Sequence, residues 1–380
     1  MRYHSLDALR AAMMLLGLVL HAGATYTLAP IGEGWPIHDP PGSLLFSLLL
    51  IVIHLFRMPA FFVVAGFFAA LLYERDGAGG FLRNRARRIA LPLLIFLPTA
   101  LPLAALGFVF AARREGMALP AELVGGGRLL RESILGHLWF LYDLLIFYVA
   151  AVVLAPVIAR IPLATRAEDL VKLIVTRPWG VLVPALTTIL TLLPMTGPGL
   201  ETSASLLPPP RVLVAYAVFF AFGWGVYRQR RHVMPIFGRR WKGFTVAAVP
   251  ATVAYILVLV FQRRLDPRAF HIVGVTLAGL AVWLLIFAIV GLFVRFLETP
   301  RPRIRYLSDA SYWMYLTHLT VISWTAGLLM RSPAHAFVKF TIVIGVTTTV
   351  TLATYRLFVR PTRLGVLLNG RRYTRNRAGV

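Results

Sequence analysis

Residues 43–73 read SLLFSLLLIVIHLFRMPAFFVVAGFFAALLY, and this stretch decides the fold class. It is well above the ~20 helical residues that cross a hydrocarbon core of ~30 Å. Its only charged side chain is Arg57, and Pro59 predicts a kink or a tilt. We therefore interpret it as a membrane-spanning helix.

Nine further apolar stretches have the length needed to cross a bilayer, although the fifth is short and has prolines at 184 and 194. They predict an all-α polytopic membrane protein with about ten transmembrane helices. We expect one transmembrane domain over 1–360 and a basic cytoplasmic tail over 361–380. The ten stretches lie near 9–29, 43–73, 89–112, 137–159, 178–195, 210–227, 244–262, 270–297, 311–330 and 335–358.

The composition agrees with this interpretation. Hydrophobic residues make up 58% of the 380 residues and charged residues 14%, whereas a soluble domain is roughly 25% charged. These values exclude a soluble enzyme and a disordered chain, and the unbroken apolar runs exclude a transmembrane β-barrel, whose strands alternate. Cysteine is absent, which excludes disulfides, thiolate metal sites and a cysteine nucleophile, and no metal site is expected.

The net charge of +24 could indicate nucleic-acid binding, but the basic residues lie in short loops between apolar runs. Most of them fall at the N-terminus, in alternate loops and in the tail, so the positive-inside rule predicts that both termini are cytoplasmic. No nucleic-acid partner is expected. The basic clusters 83–88, 228–242 and 301–305 on that face either meet anionic lipid or bind the phosphates of a cytosolic cofactor.

The first stretch resembles a signal peptide, but Asp7 in its basic start favours a helix of the mature protein. Arg10 and His21 are eleven residues apart and return to within ~20° of one helix face. Gly17 lies on the same stripe and would allow close approach of a neighbour. Arg10 alone is explained as a topogenic charge, and His21 alone as an interhelical hydrogen-bond partner. The pair on one stripe favours a function.

The second stretch places Arg57 and His54 on one face. An arginine at this depth needs a carboxylate, carbonyl groups or a bound anion. A structural ion pair, with Asp143 as the candidate partner, is the alternative to a functional role.

The fourth stretch presents Trp139, Tyr142 and Asp143 on one face at the outer interface. Aromatic-belt anchoring explains the two aromatic residues but not the carboxylate. A carboxylate beside aromatic rings also suits sugar binding.

The ninth stretch presents a hydroxyl-rich stripe. Interhelical hydrogen bonding and the lining of a polar groove explain it equally well. The stripe consists of Ser308, Ser311, Tyr315 and His318.

Five of these segments, in their order and spacing, resemble the membrane-bound acyltransferase 3 family. Within that family the opening segment is most similar to the members that succinylate osmoregulated periplasmic glucans. The segments are RYHSLDALRAAMMLLGLVLH at 2–21, FRMPAFFVVAGFF at 56–68, RNRARRIALP at 83–92, HLWFLYDLL at 137–145 and SDASYWMYLTHL at 308–319.

The resemblance implies a multi-pass enzyme of the bacterial inner membrane that moves an acyl group from cytosolic acyl-CoA to a hydroxyl of a periplasmic glucan. Succinyl-CoA is the expected donor substrate, and no permanently bound cofactor is expected. The expected partners are membrane lipid, acyl-CoA and a glucan or other polysaccharide, and a homo-oligomer is left open.

The resemblance also implies roles for the polar residues. His21 is the expected base or transient acyl carrier, Arg10 would position the donor or tune His21, and Arg57 would stabilise the oxyanion. The donor phosphates would meet Arg85, Arg87 and Arg88. The residues expected to contact the substrate are Trp139, Tyr142, Asp143, Ser311, Tyr315 and His318.

Two other functions are compatible with the sequence. One is a related acetyltransferase for another envelope polysaccharide. The other is a secondary transporter of an anionic solute, which would explain intramembrane arginine and histidine equally well. An inverted repeat would favour transport, and none stands out by eye.

Overall fold

The structure is a computed structural model that describes residues 3–31, 35–40, 42–114, 116, 134–160 and 163–370, without the side chains of 163–168. Within these residues the regular structure is helical, and a single bridge between Thr27 and Ser43 is the only strand-like pairing. Seven helical runs of the described chain are long and apolar enough to cross a membrane. The all-helical, multi-pass membrane fold is therefore confirmed.

Thirteen α-helices are named here in chain order for the described residues. Two π-helical segments, Ala86–Ala90 and Tyr355–Val359, follow the second and twelfth helices, and a 3₁₀ turn, Gly136–Leu138, precedes the fifth. The helices are α1 His4–Ala24, α2 Leu44–Arg85, α3 Leu91–Phe96, α4 Ala100–Arg114, α5 Trp139–Ala159, α6 Leu163–Thr176, α7 Leu182–Leu192, α8 Pro210–Arg228, α9 Arg230–Val260, α10 Pro267–Phe296, α11 Pro302–Leu329, α12 Ala336–Thr354 and α13 Arg363–Asn369.

Each of the ten predicted stretches overlaps helical structure, but three of them are not separate members of the seven. The second and third lie in one run, Leu44–Arg114. The fifth is the 11-residue helix α7, and the ninth is α11, whose polar stripe lowers its mean hydropathy. The span count of ten and the cytoplasmic termini therefore remain predictions.

Helix α1 begins and ends earlier than the predicted stretch 9–29. Its end is set by the loop 25–43, because backbone N–H groups of Asp39 and Ser43 donate to the carbonyl oxygens of Thr25 and Tyr26. These two carbonyl oxygens accept hydrogen bonds from the loop and not from a further turn of helix. His21 consequently lies in the last turn of α1, beside this loop.

Helix α2 has 42 residues, which corresponds to about 60 Å at 1.5 Å per residue and is twice the hydrocarbon thickness. Its polar end must therefore leave the bilayer. Gly77, with φ of +66°, breaks the helix there, and only glycine adopts this conformation without strain.

Helix α1 packs against α2 and α11, and these three helices carry His21, Arg57, Tyr315 and His318. Helix α8 packs on α2, α4 on α11, and α9 on α10. Outward-facing apolar side chains such as Val153, Val246 and Val350 are exposed. A surface of this kind is suited to lipid.

The C-terminal segment is only partly described. Helix α13 lies within the predicted tail 361–380 and packs against both π-helical segments and α11. Residues 371–380, which carry most of the tail's basic charge, lie outside the described residues.

Candidate active site

Five polar side chains from α1, α2, the turn before α5 and α11 form one group inside the helix bundle. We call it the intramembrane cluster, and it consists of His21, Arg57, His137, Tyr315 and His318. All but His21 are buried, and His21 is half-buried. The sequence predicted four of these residues as site residues, and the structure adds His137.

The imidazole rings of the cluster lie in a row. The ring centroids of His21 and His318 are 5.2 Å apart, and those of His318 and His137 are 5.0 Å apart. Tyr315 lies beside His137, with ring centroids 5.7 Å apart, and its hydroxyl donates a 2.7 Å hydrogen bond to the His137 carbonyl oxygen. Helices α1 and α11 thus bring together residues that are about 300 positions apart in sequence.

One hydrogen bond fixes the His318 tautomer. Nδ1 of His318 lies 2.7 Å from the Tyr315 carbonyl oxygen. A carbonyl oxygen can only accept, so Nδ1 carries the hydrogen. In the neutral ring Nε2 is then the nitrogen with a lone pair.

Several polar atoms of the cluster are buried and have no hydrogen-bond partner among the described residues. They include Nδ1 of His21, Nε of Arg57 and Nε2 of His318. Native proteins pair nearly all such atoms with protein or water. A concentration of such atoms therefore marks a place that needs water or a polar ligand.

The close approach of α1 and α2 depends on Gly17. A Cβ atom at this position would overlap the Arg57 guanidinium, so a larger residue would force that guanidinium to shift. The sequence had indicated Gly17 as a point of close approach, and the structure identifies Arg57 as the group that occupies the space. Arg57 also interacts electrostatically with His21 and Tyr315.

Trp35 covers His21 from the loop 25–43. The two rings stack with centroids 5.5 Å apart and an angle of 19° between their planes. The indole N–H of Trp35 donates to Oγ1 of Thr25. Trp35 was not predicted from the sequence, because no spacing rule relates a loop tryptophan to a helical histidine.

A buried ion pair anchors the same loop. Nζ of Lys339 on α12 lies 2.7 Å from Oδ2 of Asp39, and both side chains are below a tenth exposed. Such a pair holds the loop against α12. Lys339 lies within the tenth apolar stretch, and its partner is 300 positions away in the chain.

A second feature is a cavity of about 340 Å³, lined by residues of α1, α2, α5, α11, α13 and the first π-helical segment. We call it the basic cavity, because its wall includes Arg10, Arg85, Arg88 and Arg305. Apolar side chains, among them Met14, also line it. Met14 lies about one turn of α1 before Gly17, and Gly17 adjoins Arg57 of the intramembrane cluster. The cavity wall at Met14 is therefore close to the cluster.

Two of the four arginines of this cavity have carboxylate partners on their own helices. Arg10 lies 3.5 Å from Asp7, and Arg305 lies 3.3 Å from Asp309. None of the ion pairs of the described chain includes the other two arginines, Arg85 and Arg88.

Arg85 is held by its surroundings. Its guanidinium lies over the rings of Phe81 and Tyr148, 5.8 and 5.3 Å from their centroids, and donates to the side chain of Asn84. Arg87 is exposed and does not line the cavity. The structure therefore brings two of the three predicted donor-binding arginines together with Arg10, which lies at a distance from His21.

The predicted substrate residues on α5 lie in its first two turns, directly after the turn that carries His137. Trp139 and Asp143 are buried, and the ring of Trp139 lies 5.6 Å from that of Tyr216. Both carboxylate oxygens of Asp143 lack a partner among the described residues. Tyr142 donates to the carbonyl oxygen of Leu206 in the loop before α8.

The structural ion pair considered for Arg57 is absent from the described ion pairs, since neither Arg57 nor Asp143 takes part in one. Both residues lie near Tyr216, and neither neutralises the other through an ion pair.

The hydroxyl stripe of α11 divides into two parts. Oγ of Ser311 donates to the carbonyl oxygen of Ser308, and Oγ of Ser308 donates to that of Asp7 on α1. These two hydroxyls serve contacts within α11 and with α1. Tyr315 and His318 belong to the intramembrane cluster.

Comparison with known proteins gives one family. The family model described as an acyltransferase domain matches residues 3–356. Proteins named glucans biosynthesis protein C, from Escherichia coli K12 and from Escherichia coli SMS-3-5, are each 27% identical over 331 residues, which cover 83% of this chain and 81% of theirs. No solved structure matches the chain significantly.

Proposed function

Since the chain belongs to this acyltransferase family, we propose that it transfers an acyl group from cytosolic acyl-CoA to a hydroxyl of an extracytoplasmic glucan. The names of the similar Escherichia coli proteins support a glucan acceptor. The resemblance of the opening segment supports succinyl-CoA as the donor and the bacterial inner membrane as the location.

One observation carries the proposal: α1 presents the parts of an acyl-transfer site in order. Arg10 and Met14 line the basic cavity. Gly17 leaves the space that the Arg57 guanidinium occupies, and His21 lies in the last turn. Acyl-CoA is an extended molecule with phosphates at one end and a thioester at the other. The order of these residues along α1 matches the order of groups along the donor.

The phosphates of the donor would bind at the basic cavity. Arg85 and Arg88 line it without a carboxylate partner in the described chain, and a planar guanidinium is suited to bidentate contacts with phosphate. The apolar part of the cavity wall would accept the arm that leads to the thioester.

The reaction needs a base and an oxyanion donor. His21 would accept the proton of the attacking hydroxyl while its oxygen bonds to the thioester carbon. Collapse of the tetrahedral intermediate breaks the carbon–sulfur bond, and the proton on His21 passes to the leaving thiolate. Arg57, whose Nε has no partner among the described residues, would stabilise the oxyanion.

The acceptor would approach from the side of the loop 25–43. Trp35 lies over His21 there, and Trp139 with Asp143 forms an aromatic and acidic group of the kind that binds sugars. Tyr142 is tied to the neighbouring loop 193–209 through Leu206. These residues are therefore the proposed acceptor contacts.

The proposal is tested with purified protein in liposomes, isotope-labelled succinyl-CoA and a soluble glucan, with mass spectrometry of the glucan as the readout. The expected result is a succinyl mass increment that disappears in His21→Ala. Acetyl transfer under the same conditions would identify the acetyltransferase alternative. Absence of transfer from any acyl-CoA, with intact protein, would overturn the proposed donor.

A further inference from the structure

Helix α13 lies beyond residue 356, where the match to the family model ends, yet it forms part of the wall of the basic cavity through Leu368 and Asn369. We propose that α13 and Gly370 are part of the donor-binding site and set the position of Arg88 for a phosphate group. This inference rests on the proposed function.

Helix α13 is fixed in place at its C-terminal end. Leu368 is 5% exposed and belongs to the main hydrophobic core. The side-chain amide of Asn369 donates a 3.0 Å hydrogen bond to the hydroxyl of Tyr355 in the second π-helical segment. This end of the helix is therefore a built part of the bundle and not a loose extension.

Gly370 connects the helix to Arg88. It ends α13 with φ of +74°, and its N–H donates to the carbonyl oxygen of Val366. A Cβ atom at Gly370 would overlap the guanidinium of Arg88. Glycine at 370 therefore favours the conformation of the cap, and a Cβ there would displace the Arg88 guanidinium from its present position.

Arg88 is held from a second side. The hydroxyl of Tyr312 on α11 donates a 2.9 Å hydrogen bond to the Arg88 carbonyl oxygen, so its backbone is fixed while its side chain lies between Gly370 and the cavity. The residue sits in the π-helical segment Ala86–Ala90, and such segments occur frequently at functional sites. Moving the guanidinium would remove a phosphate contact without touching the intramembrane cluster.

The phosphate could belong to the acyl donor or to an anionic lipid headgroup, since both present the same chemistry. We assign the phosphate to the acyl donor, and a lipid phosphate is tested separately. Kinetics are therefore measured in liposomes of phosphatidylcholine alone and of phosphatidylcholine with phosphatidylglycerol.

The first variants are Gly370→Ala and Gly370→Asn. Asparagine tolerates a positive φ but carries a Cβ, so it separates the overlap with Arg88 from backbone strain. Both should raise the KM for acyl-CoA about tenfold with little change in kcat, the effect of losing one charge-assisted hydrogen bond. Gly77→Ala is the matched control, because Gly77 has φ of +66° and nothing within 4 Å of its Cβ position. It should leave KM unchanged.

A double-mutant cycle identifies Arg88 as the residue through which Gly370 acts. Arg88→Ala should raise the acyl-CoA KM, and adding Gly370→Ala should raise it no further, because coupled residues are not additive. Additive effects, or a fall in kcat with KM unchanged, would show that α13 has only a structural role. A KM effect confined to liposomes with phosphatidylglycerol would assign the phosphate to lipid.

A wrong role for α13 and a wrong donor site would give different kinetic results. If Arg88→Ala raises the acyl-CoA KM and neither Gly370 variant does, the donor site stands and the role of α13 is wrong. If Arg88→Ala has no effect on the acyl-CoA KM, the proposed donor site itself is wrong. Size-exclusion chromatography of each variant in detergent verifies that the protein is folded.

Discussion

The ring centroids of His21 and His318 are 5.2 Å apart, and each ring has a buried nitrogen without a partner among the described residues. The Tyr315 carbonyl fixes the hydrogen of His318 on Nδ1, so its Nε2 is an acceptor. In either tautomer the neutral ring of His21 has one nitrogen with a lone pair, which is what a general base needs.

The first prediction concerns His21 itself. His21→Ala should abolish detectable acyl transfer, because a general base contributes ~10²–10⁴-fold to the rate. His21→Gln should be nearly as inactive, since glutamine forms hydrogen bonds but does not accept the proton. Rates are measured with purified protein in liposomes. Near-normal turnover of the Gln variant would eliminate the base role, and an acyl group trapped on His21 would support the covalent route.

The second prediction separates activity from stability at Gly17. Gly17→Ala should lower kcat at least about tenfold, because its Cβ displaces the Arg57 guanidinium that we assign to the oxyanion. Helix propensity alone would favour alanine by ~1 kcal/mol. Gly345→Ala on α12 is the control, since nothing lies within 4 Å of its Cβ position. Unchanged kcat in Gly17→Ala would exclude Arg57 from transition-state stabilisation.

The third prediction concerns the ion pair that anchors the loop 25–43. Asp39→Asn leaves the Lys339 ammonium, 4% exposed, without its carboxylate, and breaking such a pair typically costs ~3–5 kcal/mol. The expected result is a clear fall in Tm, with partial recovery in Asp39→Asn/Lys339→Met. A single variant as stable as the unmodified protein would show that the pair does not hold the loop.

The fourth prediction is the orientation of the chain. The positive-inside rule places both termini in the cytoplasm. Fusions of alkaline phosphatase, active only in the periplasm, and of green fluorescent protein, fluorescent only in the cytoplasm, are compared at residue 380. Fluorescence without phosphatase activity is expected, and the reverse pattern would invert the topology and place the basic cavity outside the cell.

The sequence predicted the features that depend on local pattern. Apolar length and helical spacing were enough for the membrane helices and for the stripe that carries Arg10, Gly17 and His21, because both arise within single segments. The group of His21 with His318 required the packing of α1 on α11, and spacing within one helix contains no information about it. His21 and His318 were nevertheless each predicted as site residues, because ionisable groups in apolar helices are rare.

The residues that were missed come from loops and from distant contacts. Trp35 and Asp39 lie in a loop without periodic pattern, and Leu368 and Asn369 lie in a segment predicted as a basic tail. His137 was visible at the start of the fourth stretch, but it received no role because its neighbour His318 is far away in sequence. Burial of charged and polar groups without local partners is the signal that only the folded chain supplies.

The last prediction uses the basic motif 83–88 as its own control. Arg85 lines the basic cavity and Arg87 is exposed outside it, although both carry the same topogenic charge. If the motif only sets the orientation of the chain in the membrane, Arg85→Gln and Arg87→Gln should have equal effects on membrane insertion. Neither variant should then change the KM for acyl-CoA. Because Arg85 is held towards the cavity by Phe81 and Tyr148, we expect Arg85→Gln to raise that KM about tenfold, the size of one lost charge-assisted contact. Arg87→Gln should leave it unchanged, and the KM difference between the two should shrink as ionic strength rises, because salt screens phosphate contacts. Equal KM values for the two variants would assign the motif to topology and lipid alone.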